Sequence, residues 1–155
     1  MNQKKLLIVL LALIIIVGII LFLSPGLNIF NQGFKINDVA FDLPNGFHMN
    51  ETKKNSVRIN DGVHTIIIEE LNNTNVKPFI DNYVKYLNES NSSAIISNTT
   101  LNGIHADKVI SKSTGAAHYW FEYNNKLYTI GTWGKYEKID EVANELVKSM
   151  HPAEK

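Results

Sequence analysis

The sequence predicts an α+β domain, an antiparallel β-sheet packed with two helices, preceded by an N-terminal transmembrane helix. Three observations carry this. An unbroken apolar run stands near the N-terminus. Beyond it, short stretches of alternating apolar residues are separated by Asp-Gly, Asn-Gly and Asn-Asn pairs, the signals of hairpins between antiparallel strands. Two further stretches carry apolar residues at helical period on one face only, so each must pack against the sheet.

The apolar run, Leu6 to Leu23, is 18 residues long and holds no polar or charged side chain. As a helix it would span ~27 Å at ~1.5 Å per residue, close to the ~30 Å hydrocarbon core of a bilayer. Lys4 and Lys5 precede it, and no acid occurs before Asp38. That bias puts residues 1–5 in the cytoplasm and the rest of the chain outside. The alternative is a cleavable signal peptide, cut near Gly26 in Ser24-Pro25-Gly26, with a secreted product. Signal peptides carry an apolar run of only ~7–15 residues, so the expectation is an uncleaved single-pass anchor in the cell membrane over residues 6–23. Residues 24–33, SPGLNIFNQG, read as a tether, and residues 34–155 as the extracytoplasmic domain.

The domain opens with FKINDVAFDLP, read as one strand with a slip at Asn37-Asp38. Pro44-Asn45-Gly46 is a turn. SVRIN and HTIIIEEL are strands joined at Asp61-Gly62, a two-residue hairpin signal. Val76, Phe79, Ile80, Tyr83, Val84 and Leu87 then fall on one helical stripe. Asn75 is placed to cap that helix, and Pro78 sits within its first turn, where a missing N–H costs little. AIISNTTLN and IHADKVISKS follow as strands joined at Asn102-Gly103. After the aromatic stretch HYWFEYNNKLYTIGTW, a second stripe runs through Ile139, Val142, Ala143, Leu146, Val147 and Met150, with Pro152 just past its end.

Composition excludes several functions. From Ser24 onward the chain holds every acid and all the Lys and Arg except Lys4 and Lys5, a near-neutral balance with no basic stripe for nucleic acid. There is no cysteine, hence no disulfide, thiolate metal site, Cys nucleophile or lipidated N-terminal Cys. No Gly-rich phosphate loop, nucleophile elbow or His pair at metal-ligand spacing occurs. No cofactor is expected. His105 and Asp107 share one strand face and could meet His118 from a neighbouring strand as a metal or hydrolase site. Without a companion at ligand spacing, that reading ranks last. Five Asn-x-Ser/Thr sequons stand at Asn50, Asn72, Asn88, Asn91 and Asn98, candidate glycosylation sites on a chain exported as expected.

The aromatic stretch splits in two if Asn124-Asn125 is its turn. Tyr119, Phe121, Tyr123, Tyr128 and Ile130 then share one face and His118, Trp120, Glu122, Leu127, Thr129, Gly131 and Trp133 the other, because strand side chains alternate. The first face is nearly all apolar and reads as core. The second leaves Trp120, Trp133 and His118 as the candidate ligand or partner surface.

The segments GFKINDVAFDLPNGF, LNGIHADKVI, HYWFEYNNKLYTIG and IDEVANELVKSM together resemble the PsbP-like domains of the Mog1/PsbP fold, in a membrane-anchored prokaryotic version. The resemblance spans about residues 33–151. It implies a central antiparallel sheet between helices and carries over no catalytic residue. The class it implies is a non-enzymatic extracytoplasmic accessory or binding module, with an envelope protein or small ligand as partner. The alternative is a small-molecule or lipid carrier using an aromatic groove.

Overall fold

A computed structural model describes residues 33–153. The expected cytoplasmic residues 1–5, membrane anchor 6–23 and all of the tether except Gly33 lie outside the described residues. Among the described residues no helix is long and apolar enough to cross a membrane.

Among the described residues ten strands and two helices follow in the order β1 (Gly33–Ile36), β2 (Val39–Asp42), β3 (His48–Thr52), β4 (Ser56–Asn60), β5 (Thr65–Leu71), α1 (Lys77–Glu89), β6 (Ala94–Leu101), β7 (Ile104–Ser111), β8 (Ala117–Tyr123), β9 (Lys126–Thr132), α2 (Ile139–Ser149) and β10 (His151–Pro152). They form not one sheet but two, a seven-stranded sheet of order β3-β4-β5-β9-β8-β7-β6 and a three-stranded one of order β1-β2-β10. All pairings are antiparallel. Alternation along the large sheet makes β5 and β6 run the same way, so the chain must cross a face between them. Helix α1 makes that crossing.

Three expectations are corrected here. The opening segment is two strands, not one with a slip. Asn37 turns at φ 51° and Ile36 pairs back with Val39, because Asn tolerates the left-handed region. Strand β3 was not anticipated. Its residues are exposed at almost every position, so no periodicity marked it, and it pairs as an edge with a bulge between Met49 and Glu51. The Asp61-Gly62 turn is a longer loop over residues 61–64, since Asn60 pairs with Thr65. Asp61 Oδ1 accepts hydrogen bonds from the Val63 and His64 amides at 2.9 and 2.6 Å, and this Asx geometry extends the loop. The other two turns are as expected. Asn102-Gly103 has φ 46° and 82°, Asn124-Asn125 has φ 51° and 59°, and both close two-residue hairpins.

The helices lie on opposite faces of the large sheet. On one face α2 and the small sheet bury Phe41, Ile59, Ile66, Ile68, Tyr119, Phe121, Tyr128, Ile130 and Leu146 in the main core. On the other, the α1 stripe covers Val109, Trp120 and Leu127. Both stripes face as their spacing requires. A triad pins the start of α2 to the sheet: the Tyr119 hydroxyl and Lys108 Nζ both donate to Asp140 Oδ1, at 2.5 and 2.6 Å.

Candidate functional site

Helix α1 covers only part of its face, and the candidate site is the strip it leaves beside it. Trp120 is 5% exposed, packed beneath the helix, while Trp133 on the same face is 66% exposed. His118 lies at the boundary. Its ring centroid is 4.3 Å from that of Tyr83 on α1 and 5.8 Å from that of Trp120. Opposite it in β9 is Gly131, where a Cβ would come within 2.5 Å of the imidazole Nδ1 and Cε1. Only glycine leaves room for the ring there. Burial lowers the His118 pKa to about 4, the Thr132 backbone opposing the shift by hydrogen bonding, so the imidazole is neutral at pH 7.

A cleft of about 440 Å³ opens between His118, the end of α1, the β7–β8 turn and Trp133. How α1 ends explains part of its lining. Asn91 sits at φ 54°, the Ser92 amide donates to the Leu87 carbonyl at 2.8 Å and the Asn91 amide to the Asn88 carbonyl at 3.2 Å. That is a Schellman cap with Asn in the left-handed position. It turns Ser92 inward, and its Oγ lies 2.9 Å from Ser111 Oγ. Thr114 Oγ1 donates to the same Ser111 oxygen at 2.9 Å. The Lys112 amide ties the two segments together by donating to the Ser93 carbonyl at 2.9 Å. Gly115, at φ 70°, approaches Lys135 so closely that a Cβ would fall 2.7 Å from the lysine Cβ.

Among the described residues the cleft is walled by Tyr83, Tyr86 and Trp133, floored by Ser and Thr hydroxyls, and lined by no Asp, Glu, Lys or Arg. A second cavity of about 230 Å³ lies on the far side of His118, lined by Phe79, Thr129 and Gly131 among others. Thr129 Oγ1 there is buried with no hydrogen-bond partner among the described residues. Trp133 is held by Arg58, whose guanidinium carbon is 5.0 Å from the ring centroid. Glu51 in turn pairs with Arg58 at 3.0 Å.

The His105, Asp107 and His118 grouping is not assembled. His118 pairs with Val109 in register, so His105 lies four residues along β7, ~13 Å away at ~3.3 Å per residue. Among the described residues no cluster of three His, Cys, Asp or Glu could hold a metal. No hydrogen bond among the described residues joins His118 to a Ser or Thr hydroxyl. All five sequon asparagines are exposed: Asn50 at the β3 bulge, Asn72 after β5, Asn88 and Asn91 at the end of α1, and Asn98 on edge strand β6.

Ser92, Ser111 and Thr114 escaped the sequence reading, although they line the same cleft as His118 and Trp133. The available signal was two Ser-rich segments, SNSS and SKST, which looked like ordinary polar loops.

No family model matches the chain, and no curated protein matches it. Among solved structures, it is similar to a Bacteroides thetaiotaomicron protein at 11% identity and TM-score 0.49, covering 81% of this chain and 49% of that one. The chain thus spans about half the length of that protein. It is also similar to the cyanobacterial PsbP of Synechocystis sp. PCC 6803, at 13% identity and TM-score 0.46, covering 83% of this chain and 96% of that one.

Proposed function

We propose that this domain is a non-enzymatic binding module of the PsbP-like type, anchored to the outer face of the cell membrane, and that the strip beside α1 is its recognition surface. One observation supports it above the rest: a cleft with aromatic walls, open to solvent, whose lining among the described residues carries no charged side chain. A concave, mostly apolar site with a few convergent polar groups is the usual form of a ligand pocket. Trp133 and Tyr86 fit the same reading: both are exposed and line this one cleft, and grouped exposed apolar surface marks interaction sites.

The anchor rests on residues 6–23 and the charges before them. Exported in this way, the module meets envelope components, whether a protein or a small ligand. A photo-crosslinking residue in place of Trp133, introduced in intact cells, tests both parts. The reading expects a discrete adduct from position 133 and none from position 54, where Lys54 is exposed outside this cleft. Equal labelling from both positions, or none from 133, counts against it. Protease added to spheroplasts should remove the domain, and protection of it would overturn the topology.

A further inference from the structure

We propose that the cleft between α1 and Trp133 binds a neutral saccharide ring, with Trp133 as its stacking platform. The inference rests on the binding-module reading above and names its ligand class.

The lining decides the class by elimination and then by fit. A phosphate or carboxylate ligand needs cationic or convergent amide donors, and among the described residues the cleft lining contains no Lys or Arg. A cationic ligand needs carboxylates, and among the described residues the lining contains none. A lipid chain prefers an unbroken apolar wall, and covering solvent-exposed hydroxyls with it costs their hydrogen bonds to water. Here the exposed Ser90, Ser113 and Thr114 line the cleft, over the buried Ser92 and Ser111, whose hydroxyls bond each other at 2.9 Å. Hydroxyls donate and accept alike, and so do sugar hydroxyls. A pyranose also has an apolar C–H face, which stacks on aromatic rings.

Two rings are presented for such stacking. Trp133 and Tyr86, 66% and 62% exposed, both line the cleft. Trp133 is not a loose side chain. The Glu51–Arg58 pair at 3.0 Å and the Arg58 contact with its ring at 5.0 Å hold one face of the indole, while the residue stays 66% exposed. A platform held before binding loses less entropy when a ligand arrives.

The test is calorimetry on the full-length protein with a panel of neutral mono- and oligosaccharides. Inorganic phosphate and phosphatidylcholine vesicles serve as contrasts. Saturable heat with at least one saccharide is expected. Trp133→Ala should weaken it at least ten-fold, and Arg58→Met, which keeps the apolar stem but frees the ring, about three-fold. Unchanged thermal unfolding of both variants will show that the fold persists. Heat with vesicles or phosphate alone overturns the saccharide assignment but leaves the binding module standing. Saccharide binding that survives Trp133→Ala overturns the site. No heat with any probe, together with no adduct from position 133 in cells, overturns both readings.

Discussion

Replacing Gly131 with alanine tests how the candidate site is built. In isolation the change favours folding, since glycine within a strand costs about 0.5–1 kcal/mol relative to alanine. Here the new Cβ would sit 2.5 Å from two atoms of the His118 ring. Tyr83 above the ring at 4.3 Å and Trp120 beside it at 5.8 Å leave it only the cleft and the smaller cavity that border it to move into, at the loss of those aromatic contacts. Either His118 leaves its position or α1 lifts from the sheet. Overpacking of this kind costs about 1–3 kcal/mol. Against the propensity gain the net loss is about 0–2.5 kcal/mol. With a urea slope of ~2 kcal/mol/M, the unfolding midpoint falls by up to about 1.2 M. Removing the ring should relieve the clash, so Gly131→Ala in a His118→Ala background should cost about 1 kcal/mol less than in the wild type. A Gly131→Ala variant that gains stability, or additive effects in the double mutant, would refute the placement of the imidazole against β9.

Three further outcomes are expected. The His118 imidazole should titrate near pH 4 by NMR, whereas the unfolded chain titrates at ~6.5. The fold then favours the neutral ring, so its contribution is complete above pH ~6.5 and is lost as pH falls towards 4, by about 1–2 kcal/mol after solvent screening; His118→Phe should flatten that slope. Asp140→Ala should destabilise by about 1–2 kcal/mol in urea, because it strips the partner from the Tyr119 hydroxyl and from Lys108, water at the 62% exposed Asp140 side chain offsetting part of the loss. Asn91→Ala should cost about 1 kcal/mol in the same assay and Asn91→Gly nothing or less, since the residue holds the left-handed cap at φ 54°.

The hairpins and helices were legible because their signals are local. Asn124-Asn125 fixed the register of β8 and β9, and that register separated Tyr119, Phe121 and Tyr128 from His118 and Trp120 as observed. The stripes of α1 and α2 marked their buried faces for the same reason. Strand β3 was illegible because HMNET is solvated on both faces, which leaves no alternation to read. Asp61-Gly62 misled because the Asp61 side chain, free to bond two amides, competes with the tight turn its dipeptide suggests. The site depended on facts that no local pattern records. Trp120 and Trp133 share a face by alternation, yet one is buried and one exposed, because that depends on where α1 settles across the sheet. Ser92 and Ser111 meet only because the Schellman cap delivers the first to the second.

The chain contains two tryptophans, one beneath α1 and one at the cleft, so their indole N–H resonances make an internal comparison. On adding the neutral saccharide that gives the strongest calorimetric response, the Trp133 resonance should move and saturate while that of Trp120 stays in place. Movement of Trp120 alone, or a saturable heat that shifts neither resonance, would contradict the assignment of this cleft as the binding surface.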